Sequence, residues 1–330
     1  MKKIVLLGIA AAFFFSSTFA INRWLNVEQG GHWYWTASLR YIYVFLYLSI
    51  ISFFPNGFKI YKETIICFFD YWYFWIFTGG IGFGLFYLSL CYAASYSPGW
   101  VLATTWQITI LMTPLVIRIL GYKVPTRGIV YLLIMFLGIL LVNYDEFTSI
   151  FLIDLKSVIP ITFAAFCYPL GNTLCKYACE GKYKKFPINK YSISNNVFSQ
   201  ILMMTMGAFP VLLFFWIFTS PPAPTYTQFY SIAFIALFTG VIATSLLYQA
   251  RKSALQNALA LSAADGTQAA EAPLALFWEW SIFNGLLPSV FGIVGLILVI
   301  LGIFLFYNSQ IILNTPNEEN NKSIGDVIAN

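Results

Sequence analysis

"AAFFFSSTFAINR" (residues 11–23) and "AAFCYPLGNTLCK" (164–176) align without a gap, with Ala-Ala-Phe identical and Arg23 opposite Lys176. This pairing decides how the chain is divided. Read alone, "MKKIVLLGIAAAFFFSSTFA" has two lysines, an apolar run and a small-residue end, the pattern of a secretory signal. With a counterpart in mid-chain, it reads instead as a retained first span. Two further pairs extend the repeat. "FTGGI" (77–81) with Tyr87 matches "FTGVI" (238–242) with Tyr248, at the same internal spacing, and "KVPT" (123–126) matches "LLPS" (286–289).

Composition fixes the solvent. The chain is 59% hydrophobic, 19% aromatic and 9% charged, with mean hydropathy +0.76. A soluble domain is about 25% charged, so this chain lacks the polar surface to cover itself in water. Apolar runs recur at about 20 residues, the length a helix needs to cross the hydrocarbon layer, without the alternation of a membrane barrel. The expected fold is an all-α polytopic membrane protein. Ten spans are expected, near 3–22, 35–54, 71–94, 98–120, 127–143, 157–177, 193–218, 228–250, 255–278 and 285–307. They fall into a first five-helix repeat (1–145), an outer linker (146–156), a second repeat (157–308) and a polar cytoplasmic tail (309–330).

Lysine and arginine placement sets the orientation. With the N-terminus in the cytoplasm, ten spans return the C-terminus there. Fifteen Lys and Arg residues then lie on the inner side, and only Arg23 and Lys156 on the outer. Five helices per half is an odd number, so the halves are inverted relative to each other. Inverted repeats around a midplane site are a transporter architecture.

The five cysteines and single histidine (His32) exclude much. No Cys/His set has zinc-ligand spacing, so no metal or cofactor is expected. No phosphate loop or nucleic-acid signature is present. "GGIGFG" (79–84) lies inside an apolar span, where its glycines serve close helix packing. Aromatic clusters at 32–35, 71–75 and 278–280 fall at span ends and read as interfacial belts. Glu279, between two tryptophans of the last cluster, is expected to face outer water.

Prolines late in spans four and nine ("TPLV", 113–116; "APLA", 272–275), a small-residue third span and a glycine-containing last span complete a pattern. It resembles the drug/metabolite transporter superfamily, of the EamA-like kind. "DGTQAAEAPLALFWEW" (265–280) is most similar to the multidrug resistance efflux transporters. The resemblance implies an inner-membrane carrier working by alternating access, an exporter of drugs or metabolites. One departure stands out. The small four-helix members of the superfamily couple to protons through a glutamate in their first helix, and the first span here has no acid.

The candidate site residues follow from polarity inside the spans. Asp265, Gln268 and Glu271 recur at i, i+3, i+6 in the alanine-rich ninth span. A charged acid at bilayer centre costs about 2.5–3.5 kcal/mol, so such residues face protein or a water-filled cavity. Burial disfavours the charged form of a carboxyl group. A carboxyl so placed could exchange a proton for substrate, or attract a cationic substrate, or merely tie helices together. Arg40 is the one cation inside a span. It could snorkel to the outer interface, pair with Glu271, or contact an anion. Trp106 and Gln107, mid-span four, could stack on and hydrogen-bond a flat ligand, or pack helices. Tyr87 and Tyr248, repeat mates, are expected to face each other across the pseudo-two-fold. Asn172 is a further candidate.

The expected function is secondary active transport of small organic molecules, as an exporter coupled to protons. The cavity is expected between the halves, lined by spans three, four, eight and nine with help from one and six. An amino-acid or nucleoside permease is the alternative, and a membrane-embedded enzyme or sensor a more remote one. The expected partners are a small-molecule substrate and the lipid bilayer, with no nucleic acid, in a monomer or homodimer.

Overall fold

The computed structural model describes residues 2–51, 57–121, 129–149, 151–254, 267–283, 285 and 287–314. Every regular element among them is helical. In hydrocarbon a helix satisfies its own backbone hydrogen bonds, which strands with open edges cannot do. We label the helices α1 (Lys2–Val27), α2 (Trp33–Ile51), α3 (Gly57–Asp70), α4 (Trp72–Ala93), α5 (Gly99–Ile119), α6 (Ile129–Ser149), α7 (Phe151–Cys179), α8 (Val197–Thr219), α9 (226–254), α10 (Glu271–Ile282) and α11 (Val290–Asn314). Six of them, α1, α4, α5, α7, α8 and α9, are long and apolar enough to cross a membrane. Shorter apolar helical stretches lie in α6 (Leu133–Tyr144) and α11 (Val290–Phe306). Large apolar side chains such as Leu6, Phe77, Leu133, Phe218, Phe234 and Ile297 point away from the protein. Such a coat needs lipid rather than water around it.

Helical backbone occurs within each of the ten expected spans, of which 52–54, 127–128, 255–266 and 286 lie outside the described residues; six helices are long and apolar enough to cross a membrane. The expected linker 146–156 is helical at both ends, in α6 and α7. Of the expected tail, 309–314 continue α11, and the remainder lies outside the described residues. α3 is an addition. Its segment reads as a polar break, yet Thr64, Cys67 and Phe68 are buried against the protein while Phe58, Ile66 and Phe69 stay exposed beside Lys59 and Lys62. The Glu63 carboxylate accepts from the Ser192 backbone N–H (2.7 Å) and hydroxyl (2.6 Å), and the Tyr191 hydroxyl donates to Asp70. α3 thereby braces the chain before α8.

The helices pack in a regular pattern. α1 packs on α10 as α7 packs on α5, and α4 on α7 as α9 on α1. α4 packs on α8 as α9 packs on α2, while α6 and α11 pair with each other. Among the crossings tight enough to require glycine are α4/α7 and α6/α11. A Cβ added to Gly82 would fall 2.8 Å from the Gly171 Cα, and one added to Gly138 would fall 2.6 Å from the Gly295 carbonyl oxygen. Real Cβ atoms do not approach so closely, so α4/α7 and α6/α11 meet backbone to backbone. One buried cluster, including Tyr41, Tyr87, Trp100, Trp106, Met135, Ala164, Ala272 and Val299, runs through the middle of the bundle.

Candidate functional site

α10 is positioned by two neighbours. Along α1 the contacts climb together. A Cβ on Gly8 would lie 2.2 Å from Thr267 Oγ1. Trp278 Nε1 donates to Ser16 Oγ (3.1 Å) and to the Phe13 carbonyl (3.3 Å). Further up, the Trp24 and Phe283 rings are 5.5 Å apart. The two helices therefore run parallel. On the other side α10 packs antiparallel against α5, where Glu279 Oε2 accepts the Trp100 backbone N–H at 2.9 Å. The first N–H groups of a helix have no partner within it and attract a negative group. Glu279 supplies one to α5. It is 8% exposed, so it does not face outer water, contrary to the sequence expectation. A carboxylate can be buried at this span end because a helix N-terminus waits for it.

Glu271 is the central acid. It is 4% exposed, among Ala272, Ala275 and the faces of α1 and α5. Among the described residues no ion pair or hydrogen bond reaches its carboxylate. A buried charge without a partner costs several kcal/mol, so this carboxyl is poised to bind a proton or a cation. Gln107 on α5 is also buried, at 3%. Counting about 1.5 Å per residue from the Glu279–Trp100 contact, Glu271 and Gln107 both lie about 10 to 12 Å into the bundle. The Gln107 side chain donates to the Ala103 carbonyl of its own helix (3.2 Å).

The backbone is irregular at this depth in four helices. α5 is α-helical over Gly99–Trp106 and again over Thr109–Ile119. Between them the N–H groups of Gln107, Ile108, Ile110 and Leu111 bond three residues back, a tighter 3₁₀-like turn. α10 is preceded by a 3₁₀ turn at Thr267–Ala270. Each tight turn ends three residues before a proline, Pro114 in α5 and Pro273 in α10. Proline removes an N–H and its ring crowds the carbonyl four residues back, so the preceding turn tightens. α4 and α9 carry the opposite distortion, wide π-helical turns at Gly80–Leu85 and Ala236–Ala243. Both lie on the "FTGGI"/"FTGVI" pair. π turns free backbone groups and recur at functional sites.

A second polar group lies between α1, α2 and α4. The Arg40 guanidinium sits over the Tyr87 ring, 4.3 Å from its centroid. Asn22 Nδ2 donates to the Tyr87 hydroxyl (3.1 Å), and the Tyr41 hydroxyl donates to the Phe83 carbonyl in the π turn (2.9 Å). The network extends through Asn26, which donates to the Cys91 carbonyl (2.8 Å) and accepts from Thr36 Oγ1 (2.7 Å). Gln228 Nε2 donates to the Thr36 hydroxyl (2.8 Å). Arg40 thus points inward and does not snorkel, because the Tyr87 face receives it. No ion pair joins it to Glu271.

The remaining candidates divide. Trp106 lies against Phe86 (5.2 Å) and Tyr168 (5.5 Å), an aromatic group shared by α4, α5 and α7. Asn172 donates to the Tyr168 carbonyl of its own helix (2.8 Å). Gln268 sits in the 3₁₀ turn, where residues three apart eclipse, so it lies on the same side as Glu271. Asp265 and the Tyr248 side chain lie outside the described residues. Tyr87 has Arg40, Tyr41 and Asn22 as neighbours. The sequence reading missed Asn22, Asn26, Thr36 and Gln228. Their signal was polarity on facing helices, which no spacing within one helix reveals.

These elements define a polytopic membrane protein with polar groups and broken helices in its interior, the class of membrane carriers. The chain matches the family described as "EmrE: Putative multidrug resistance efflux transporter" over residues 1–311 and belongs to that efflux transporter family. It is 31% identical over 328 residues to "Uncharacterized protein YjlA" of Bacillus subtilis (strain 168), covering 92% of this chain and 94% of that one. It is 34% identical over 262 residues to "Uncharacterized 42.1 kDa protein in intracellular alkaline protease 3'region" of Shouchella clausii, covering 76% and 65%. A solved structure titled "Crystal structure of protein" shares the fold over 96% of this chain and all of its own, with TM-score 0.59 at 10% identity.

Proposed function

We propose that the chain is a proton-coupled exporter of small organic molecules that works by alternating access in a bacterial inner membrane, with both termini cytoplasmic. Its ten spans form two inverted halves, 1–145 and 157–308. The packing supports this in part, because exchanging each helix for its mate five spans away turns α1–α10 into α7–α5, α4–α7 into α9–α1 and α4–α8 into α9–α2, all of them observed contacts. The 3₁₀ turns of α5 and α10 and the π turns of α4 and α9 fall on mated helices as well. Interrupted helices meeting at a midplane are where carriers of inverted-repeat design bind their cargo.

Glu271 carries the reading. It is a buried carboxyl without a partner, at the broken part of α10 and at the depth of the break in α5. A site that cannot hold an isolated charge takes up a proton in one state and releases it in another, and the interrupted helices give the surrounding backbone its freedom to move. The reaction is tested in liposomes with an imposed pH gradient, following proton flux as a panel of organic cations, neutral compounds and carboxylates is added. Wild-type protein is expected to couple at least one compound to proton movement. Glu271→Gln, nearly isosteric and unable to ionise, is expected to lose that coupling. Full gradient-driven flux in Glu271→Gln would remove the acid from the mechanism.

A further inference from the structure

We propose that Arg40, with Tyr87 and Asn22, forms an anion subsite between α1, α2 and α4, and that the cargo is a monoanionic organic acid with an apolar or aromatic body. The proposal deepens the transport reading above and rests on it.

The first observation is an imbalance of charge. The groups that face the Arg40 guanidinium are Tyr87, Tyr41 and Cys91, all neutral near pH 7. Among the described residues no carboxylate lies within ion-pair distance of it. A cation on a span centre is expensive, and proteins keep one only with a counter-charge or a function. A cation–π contact returns about 0.5–2 kcal/mol, less than an unpaired buried charge costs. A bound anion would supply what is missing.

The second observation is geometry. Arginine presents a planar fork of donors that fits a carboxylate or phosphodiester two-fold. The Tyr87 ring covers one face of the guanidinium and its hydroxyl takes one of the donors, which leaves the rest of the fork for a ligand, and Arg40 keeps intermediate exposure. Asn22, which is fully buried, holds the Tyr87 hydroxyl and so fixes the ring beneath the guanidinium.

The third observation selects the ligand's body and charge. Phe83, Phe86, Trp106 and Tyr168 continue from Tyr41 and Tyr87 as linked rings. This is a wall for an apolar or aromatic moiety. One guanidinium balances one negative charge. A dianion would leave an uncompensated charge in the bundle, and a cation would be repelled.

The test uses three probes of one shape: benzoate, benzamide and benzylamine. Thermal unfolding of the full chain is followed in nanodiscs of phosphatidylcholine alone and with phosphatidylglycerol. Benzoate is expected to raise the wild-type midpoint in both lipids, benzamide and benzylamine not. Arg40→Met, apolar and of similar length, is expected to fold and to weaken the carboxylate effect at least tenfold. Arg40→Lys keeps charge without the fork and is expected to weaken it less. Equal stabilisation by benzylamine, or none by any carboxylate on wild type, overturns the proposal. Stabilisation by phosphatidylglycerol alone overturns it too, making the partner a lipid headgroup. A wild-type carrier that moves cations and ignores carboxylates would leave the transport reading standing and the anion subsite refuted. Carboxylate binding at Arg40 without any coupled flux would do the reverse.

Discussion

Glu271 and Glu279 sit two turns apart on α10 and show what the sequence can say of an acid in a membrane. Both are buried, but only one has a partner. Glu279 accepts the Trp100 N–H at the start of α5, so its task is structural. Glu279→Ala leaves that donor buried and unmet, at a cost of about 1–3 kcal/mol. The expected result is a clearly lowered unfolding midpoint in detergent, while Glu279→Gln, which keeps an acceptor, stays near wild type. Glu271 is buried as the sequence expects of an acid inside a span, which must face protein or a water-filled cavity rather than lipid. The sequence misplaced Glu279, since nothing near residue 279 announces that a helix start lies across from it. The snorkelling alternative for Arg40 failed for the same reason. Its partner Tyr87 lies on another helix, and periodicity within one helix does not see it.

At the scale of elements, the six helices long and apolar enough to cross a membrane were legible because apolar runs near 20 residues have one stable form in lipid. Helix interruptions were legible only in part. Pro114 and Pro273 marked α5 and α10, but the sequence reading carried α10 as a continuous helix with α-helical spacing. The structure instead begins the α-helix of α10 at Glu271 and puts a 3₁₀ turn at Thr267–Ala270 before it. The π turns of α4 and α9 left a trace in the repeated "FTG" motif, without any hint that the helix widens there. α3 was missed because its apolar residues serve two faces at once, one on the protein and one outward. Two outcomes follow. Pro273→Ala restores an N–H and is expected to regularise α10, holding or raising the unfolding midpoint while lowering the transport rate severalfold in liposomes. Gly171→Leu must displace the Gly82 backbone. Overpacking of this kind costs about 1–3 kcal/mol or more, read as a fall in midpoint and in folded yield.

At the scale of the whole molecule, the two-half repeat stays a proposal, supported by mated contacts such as α1–α10 with α7–α5 and α4–α7 with α9–α1. Residues 255–266, between α9 and α10, lie outside the described residues, and Asp265 with them. Orientation is a separate matter of charge. All five cysteines are free and buried, so single surface cysteines can be introduced with little background labelling. Lys59→Cys and Lys184→Cys are expected to resist an impermeant maleimide on intact cells and react after permeabilisation, whereas Glu28→Cys reacts on intact cells. The opposite pattern would invert the molecule in the membrane without altering its internal pairing.

Alternating access to the Glu271 level is the central claim, and a cysteine at Gln268 reports on it most directly. In inside-out and right-side-out vesicles of Gln268→Cys, an impermeant thiol reagent is applied with and without a pH gradient. The account predicts labelling from both faces, with the balance between them shifted by the gradient. Labelling from neither face, or from one face alone under every condition, would contradict it.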